Sequence, residues 1–227
     1  MSPVVLGVAA QACVGRLPEP VPVPGSDALA SRYRSASTPE VPRLIGFRWT
    51  YRGRQGRFSG DGGVRVNPPD SVRIDLLGPG SSGVQSAVLV DDRVGYIGEQ
   101  RVQLPPPTFL WALFGIFRPP RGEDPRAFAR GDYRELVYRV SVREEVMFRF
   151  DVSGHLVAAE RRSGGRTLQR IELTLARPKD GAPGRGWVWP REARFRDLRE
   201  SHEVRVEVTG AREHKPFESA IFRVAAR

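Results

Sequence analysis

The sequence predicts a mainly β protein with a few helices. The expected architecture is one curled antiparallel sheet of about eleven strands, a half-barrel, with a short apolar helix as lid or plug. Three observations carry that expectation. From Arg43 onward apolar and polar residues alternate with a period of two, the signature of strands with one face buried. The alternating segments recur about every ten residues, separated by Gly, Pro and Asp turn signals, as in a hairpin meander. One stretch departs from both patterns: "PPPTFLWALFGIFRPP", residues 105–120, is almost purely apolar between prolines in a chain that is otherwise basic and polar.

Composition sets the bounds. A chain of 227 residues, 40% hydrophobic and 27% charged, is long enough for one domain with a sizeable core. No window holds the roughly 20 consecutive apolar residues of a spanning helix. A net charge of +10 and a pI near 10.8 bias the surface towards anionic partners. The basic residues are nearly all Arg, with Lys only at Lys179 and Lys215. They are scattered along the alternating segments, as on solvated strand faces, rather than clustered into a nucleic-acid patch.

Taken in order, the chain begins with "VVLGVAAQA" and reaches its single cysteine at Cys13. A small-residue apolar segment that ends at a Cys and gives way to prolines resembles the end of a bacterial lipoprotein signal. Ala10-Gln11-Ala12 also fits the A-x-A pattern of ordinary secretory cleavage, which would free the same Cys13. Residues 1–13 are therefore expected to be a shortened signal segment ending at a lipidation cysteine, since a lone Cys makes no internal disulfide. Residues 14–26, which include "PEPVPVPG", are expected to be a Pro-rich, polyproline-like spacer. The domain is placed at 27–227. It opens with Ser26 or Asp27 as the cap of a short helix over 27–36.

The first strand, "RLIGFRWTYRG", puts Ile45, Phe47, Trp49 and Tyr51 on one face and Leu44, Gly46, Arg48 and Thr50 on the other. "RFSGDGGVRVN", "SVRIDLLG", "VQSAVLVDD" and "RVGYIGE" continue the meander before the apolar stretch. "YRELVYRVSV", "EEVMFRFDV", "HLVAAERRS", "TLQRIELTLAR", "GWVWPREARFRD" and "HEVRVEVTG" resume it afterwards. Within the stretch Thr108 is expected to cap a helix running to Phe117, bounded by Pro119 and Pro120. Phe109, Leu110, Trp111, Leu113, Phe114, Ile116 and Phe117 surround that helix on every side, so it must be covered on more than one side. It either plugs the core or lids an apolar cavity. The candidate cavity and lid residues are Phe47, Trp49, Tyr51, Phe109, Leu110, Leu113, Phe114 and Phe117.

A search for chemistry finds no enzyme. "GPGSSG" satisfies a dinucleotide-loop spacing, but an alternating strand follows where that function needs a helix N-terminus. His155, His202 and His214 stand singly, without metal spacing or a Ser-His-Asp constellation. No catalytic residue, metal ligand or cofactor is assigned. Trp187 and Trp189, two apart, are expected on one face at one end of the curl.

The order of these parts resembles the LolA/LolB-like bacterial envelope lipoproteins. The matching stretches are "RLIGFRWTYRGRQGRFSGDGGVRV" as first hairpin, "VRIDLLGPGSSG" as the strand with its Gly-Pro turn, "PPPTFLWALFGIFRPP" as the apolar helix, and "WPREARFRD" with "HEVRVEV" as closing strands. The resemblance implies a lipid-anchored protein on the periplasmic side of the outer membrane. Its half-barrel would hold an acyl chain or the lipid moiety of a lipoprotein, in lipid or lipoprotein transport. The implied partners are a lipid or acylated protein, the membrane through the anchor, and a periplasmic carrier protein; the chain itself would be a monomer that binds no nucleic acid. Lipoprotein-inserting members carry an exposed Leu after the Pro of the third-strand turn, whereas here Gly80 follows Pro79. The alternative is a structural envelope lipoprotein with a closed core that interacts through its basic surface.

Overall fold

The alternating segments pair exactly where neighbouring strands can share an apolar face. A computed structural model of the chain describes residues 18–78, 84–97, 103–121, 124–176 and 186–223. Its strands are β1 (Val21–Val23), β2 (Arg43–Gly53), β3 (Gly56–Asn67), β4 (Ser71–Leu77), β5 (Val84–Val90), β6 (Arg93–Ile97), β7 (Arg126–Arg130), β8 (Tyr133–Arg139), β9 (Glu144–Phe150), β10 (Leu156–Ser163), β11 (Arg166–Leu175), β12 (Pro190–Asp197) and β13 (His202–Glu213). They form one antiparallel sheet in the order β1-β7-β8-β9-β10-β11-β12-β13-β2-β3-β4-β5-β6. The sheet curls but does not close, because β1 and β6 end it without pairing with each other. That is the half-barrel expected from the sequence.

The sheet has 13 strands among the described residues, more than the alternation suggested, because β1 and β7 are short. The Pro-rich stretch is not a free spacer throughout: Val21, Pro22 and Val23 stand opposite Ala129, Phe128 and Ala127. Proline is tolerated there because an edge strand leaves one side unpaired, so the missing N–H need not cost a ladder bond.

Register decides which residues line the hollow. Phe58, Tyr51, Val204, Phe195, Ile171, Ala159, Phe148, Leu136 and Ala127 form one cross-strand row from β3 to β7, and all but the partly buried Phe58 belong to the core. One position along, Arg57, Arg52, Glu203, Arg196, Arg170 and Glu160 form a charged row on the convex face. Large aromatics of β2 lean over glycines of β3. A Cβ on Gly62 would strike the ring of Phe47, and one on Gly60 would strike the Leu77 carbonyl and lie 3.2 Å from Trp49 Nε1; here Gly permits the close approach.

Topology also explains the apolar stretch. β6 is one edge of the sheet, and β7 lies beside the other edge strand. The chain joining them must therefore travel from one lip of the half-barrel to the other, and residues 103–121 do so through the concave side. The helix there, α2, spans only Pro107–Ala112 and is shorter than the expected run from Thr108 to Phe117. Thr108 is not its cap. Pro106 precedes it and Pro107 takes the first turn, where a missing N–H costs nothing. The helix stops because Gly115 turns the chain at φ 73°, where a Cβ would lie 2.9 Å from the Val188 carbonyl oxygen. The N-terminal helix α1 (Ser26–Ala36) matches its expected span closely. No helix among the described residues is long and apolar enough to cross a membrane.

Candidate functional site

The concave face and the segment crossing it make the candidate site. All eight residues proposed to line it, Phe47, Trp49, Tyr51, Phe109, Leu110, Leu113, Phe114 and Phe117, are at most 4% exposed. The structure brings several of them together. The Phe114 ring lies 5.7 Å from that of Phe47, and Phe109 meets Phe195 at 5.6 Å. Phe117 is the most enclosed, with Phe148 at 4.8 Å and Phe150 at 5.1 Å, both edge-on, and Tyr138 at 6.3 Å. Tyr51 and Trp49 belong to the same core but have other partners. Tyr51 stacks near His202 and Phe58, and Trp49 donates its indole N–H to the Asp61 carbonyl at 3.0 Å. Cys13, Pro79 and Gly80 lie outside the described residues.

A few polar bonds hold the crossing segment in the hollow. The Trp111 indole donates to the Asp91 carbonyl at 2.8 Å, and the Trp187 indole donates to the Phe114 carbonyl at 3.0 Å. The Phe117 N–H donates to Ser37 Oγ at 3.0 Å, just beyond α1. Trp187 and Trp189, whose rings are 5.9 Å apart, sit just ahead of β12 at one end of the curl. Tyr33 of α1 stacks on Phe150 at 4.1 Å, so α1 closes the same end of the core. Isolated helices of one or two turns do not hold their shape in water. α2 therefore owes its structure to the apolar surface around it.

At the lip of the hollow the chemistry changes. A cleft of about 310 Å³ runs between the last turn of α1 and the residues after α2, lined by Arg34, Asp91, Asp92, Trp111, Arg118 and Arg121 among others. Arg121 bonds Asp91 at 2.7 Å and approaches Asp92 at 3.3 Å. Arg118 lies over the Trp111 ring at 5.0 Å, yet its buried Nε and Nη2 have no acceptor among the described residues. Burial and the neighbouring Arg34 charge push its pKa down, while Asp91 and Asp70 oppose them. A guanidinium still stays charged at any working pH. The Tyr138 hydroxyl, also within the field of Arg34, is buried without a partner, and its pKa is pushed up by burial. Sequence reasoning missed Arg34, Arg118 and Tyr138. They are far apart in the chain, and only the position of Arg118 next to the apolar stretch could have pointed to one of them.

The convex face is a lattice of paired charges. Arg149 donates twice to Glu135 at 2.8 and 2.9 Å, Arg205 bonds Glu192 at 2.9 Å, and Arg196 bonds Glu203 at 3.0 Å. Burial would raise the Asp75 pKa most, but hydrogen bonds from Ser86 and Arg73 and the charges of Arg73 and Arg65 outweigh it and lower it. Arg73 also donates to the Ile221 carbonyl at 3.2 Å, tying down the 3₁₀ turn Ser219–Phe222. The three histidines stay apart. His155 approaches Asp151 at 3.4 Å, His214 stacks on Phe217 at 4.3 Å, and His202 is buried with neither ring nitrogen bonded. Among the described residues no group of three or more His, Cys, Asp or Glu could hold a metal ion.

No protein-family model and no curated protein matches the chain. Solved structures do match it in shape. A LolA superfamily protein from Nitrosomonas europaea superposes with a TM-score of 0.58 at 12% identity, covering 89% of this chain and 99% of that one. A Vibrio parahaemolyticus domain named for outer membrane lipoprotein sorting superposes at 0.44 and 10% identity, over 86% and 94% of the two chains. A DUF1329 family protein from Desulfovibrio piger gives 0.43 at 11% identity, over 89% and 98%. The strand order, the open curl and the first of these likenesses agree: the chain has a LolA-like fold.

Proposed function

We propose that this protein binds an acyl chain, of a free lipid or of an acylated protein, in the hollow of its half-barrel and acts in lipid or lipoprotein transport in the cell envelope. One observation carries the reading. Among the described residues the apolar concave face is covered mainly by one crossing segment, residues 107–117, with Tyr33 of α1 at one end, and not by side chains from an opposing sheet. That segment is bounded by prolines, turns at Gly115, and is tied down by a few hydrogen bonds. Shifting it would uncover contiguous aromatic and aliphatic surface of the kind that takes hydrocarbon. In this reading the segment is the chain's own occupant of the site, and ligand replaces its contacts one for one.

Lipid on Cys13 would hold the domain at the periplasmic side of the outer membrane. A periplasmic carrier protein would deliver the ligand, and the protein would work as a monomer without enzymatic activity. The tight packing of Phe114 and Phe117 favours a second reading, a structural envelope module with a permanently closed core that works through its basic surface. Native mass spectrometry distinguishes them. Domain purified from bacterial membranes, or incubated with phospholipid vesicles, should carry one lipid per chain. Domain that stays bare in both preparations contradicts the carrier and leaves the closed module.

A further inference from the structure

We propose that Arg34 and Arg118 form a headgroup site for the oxyanion of an amphiphile, a carboxylate or phosphate monoester, at the mouth of the hollow. The proposal rests on the acyl-chain reading above and extends it from the tail to the head of the ligand.

The argument is a count of donors and acceptors. The cleft brings in the guanidinium groups of Arg34, Arg118 and Arg121 and the carboxylates of Asp91 and Asp92. Arg121 engages both carboxylates, and its single charge offsets one of the two. Arg34 and Arg118 line the same cleft, where the Arg34 charge lowers the Arg118 pKa, and neither makes an ion pair among the described residues. Two like charges in one cleft repel, an effect that Asp91 and Asp70 oppose, and each buried unpaired N–H forgoes its hydrogen bond. Arg118 carries two such N–H groups, at Nε and Nη2, and that edge of the guanidinium matches the two oxygens of a carboxylate or phosphate. Trp111 fixes the plane of the guanidinium from one side.

Position selects an amphiphile over a free ion. Arg118 directly follows Phe117, whose ring is fully buried against Phe148 and Phe150. Arg34 sits one turn ahead of Ser37, the residue that receives the Phe117 N–H. The cation pair therefore stands where the apolar lining ends. A ligand whose chain took the place of Phe114 and Phe117 would bring its polar end out at this cleft, and its charge would relieve the repulsion between the two arginines.

The test uses cis-parinaric acid and the corresponding alcohol as fluorescent ligands, with inorganic phosphate alone as a third probe. Wild type should bind the acid at least about tenfold more tightly than the alcohol, the difference a charge-assisted hydrogen-bonded pair supplies. R34Q/R118Q should bind the acid only as weakly as the alcohol, with alcohol binding unchanged, and Arg118→Lys should recover part of the difference. Arg34→Gln alone removes an exposed residue and one side of the repulsion, so its melting temperature should not fall. It is therefore the folded control if the double variant is unstable, and it too should lose affinity for the acid. If either variant binds the acid as wild type does, or wild type fails to prefer acid over alcohol, the headgroup site is wrong while the hollow stands. If wild type binds neither amphiphile, the acyl-chain reading and the headgroup site fall together. Stabilisation by inorganic phosphate that is lost in R34Q, with no amphiphile bound, would assign the cleft to a free anion and overturn the proposal.

Discussion

The two faces of one sheet are built from neighbouring residues of the same strands, yet they are held by different physics. On the concave side, Tyr51, Val204, Phe195, Ile171 and Phe148 are out of water, and Phe195 and Phe148 pack on rings carried by the crossing segment. On the convex side, one residue along, arginines and carboxylates pair across strands, and those of β12 and β13 keep part of each side chain in solvent. Buried apolar packing is worth kilocalories per residue and penalises any void. Exposed ion pairs contribute little each, because water and salt already satisfy the charges. The stability of the domain should therefore be concentrated on its inner face, and its net charge of +10 should matter for partners more than for folding.

The largest break in that contrast should come from Phe117. Replacing it by Ala leaves a void among Phe148, Phe150 and Tyr138 and should cost about 3–5 kcal/mol in urea unfolding. A loss below about 1 kcal/mol would mean the segment is not packed as described. Smaller, but still on the inner face, Gly62→Val places a side chain where the Phe47 ring lies. It should cost about 1–3 kcal/mol. An unchanged urea midpoint would show that Phe47 can move aside freely.

A pH series sharpens the comparison at a histidine buried among aromatic rings. His202 lies between Tyr51 and Phe195, and burial pushes its pKa down, against the opposing pull of Asp197 and Glu200. The unfolded chain thus binds the proton more readily than the folded one. Stability should be full above the ordinary histidine value of about 6.5 and should decline as pH falls below it. His202→Phe removes that group, so wild type should lose more stability than the variant between pH 7 and pH 5. Equal slopes would place the acid sensitivity elsewhere. Smallest of all should be Arg121→Ala at the rim. Its pairs with Asp91 and Asp92 are more than half exposed on the Arg side, and the cost should stay within about 1 kcal/mol and shrink in salt.

How much of this was legible in the chain follows from how local each feature is. The inward set of β2 could be read directly, because alternation at Ile45, Phe47, Trp49 and Tyr51 is a property of consecutive residues. The burial of "TFLWALFGIF" could be read too, since a segment with no polar side has nowhere else to go. The length of α2 could not. Pro107 and Gly115 act through backbone geometry, and an apolar pattern continues unchanged to Phe117. The β1–β7 pair was hidden because three residues beside prolines look like a spacer until Ala127–Ala129 is brought next to them. Arg34 and Arg118 share a cleft only because the crossing segment returns to the end of α1, and no spacing in the sequence records that.

The central claim is that hydrocarbon can take the place of the crossing segment inside the curl. Trp49 and Trp111 are both buried on that side, at 4% and 2% exposure, so they report the hollow's occupant. The direct measurement is quenching of tryptophan fluorescence by a fatty acid brominated along its chain, which acts only at near contact. Saturable quenching at one ligand per protein, weakened when Trp111 is replaced by Phe and displaced by the unbrominated acid, is the result expected. A folded protein whose tryptophans are untouched at saturating brominated acid would contradict the claim and identify the segment as a permanent core.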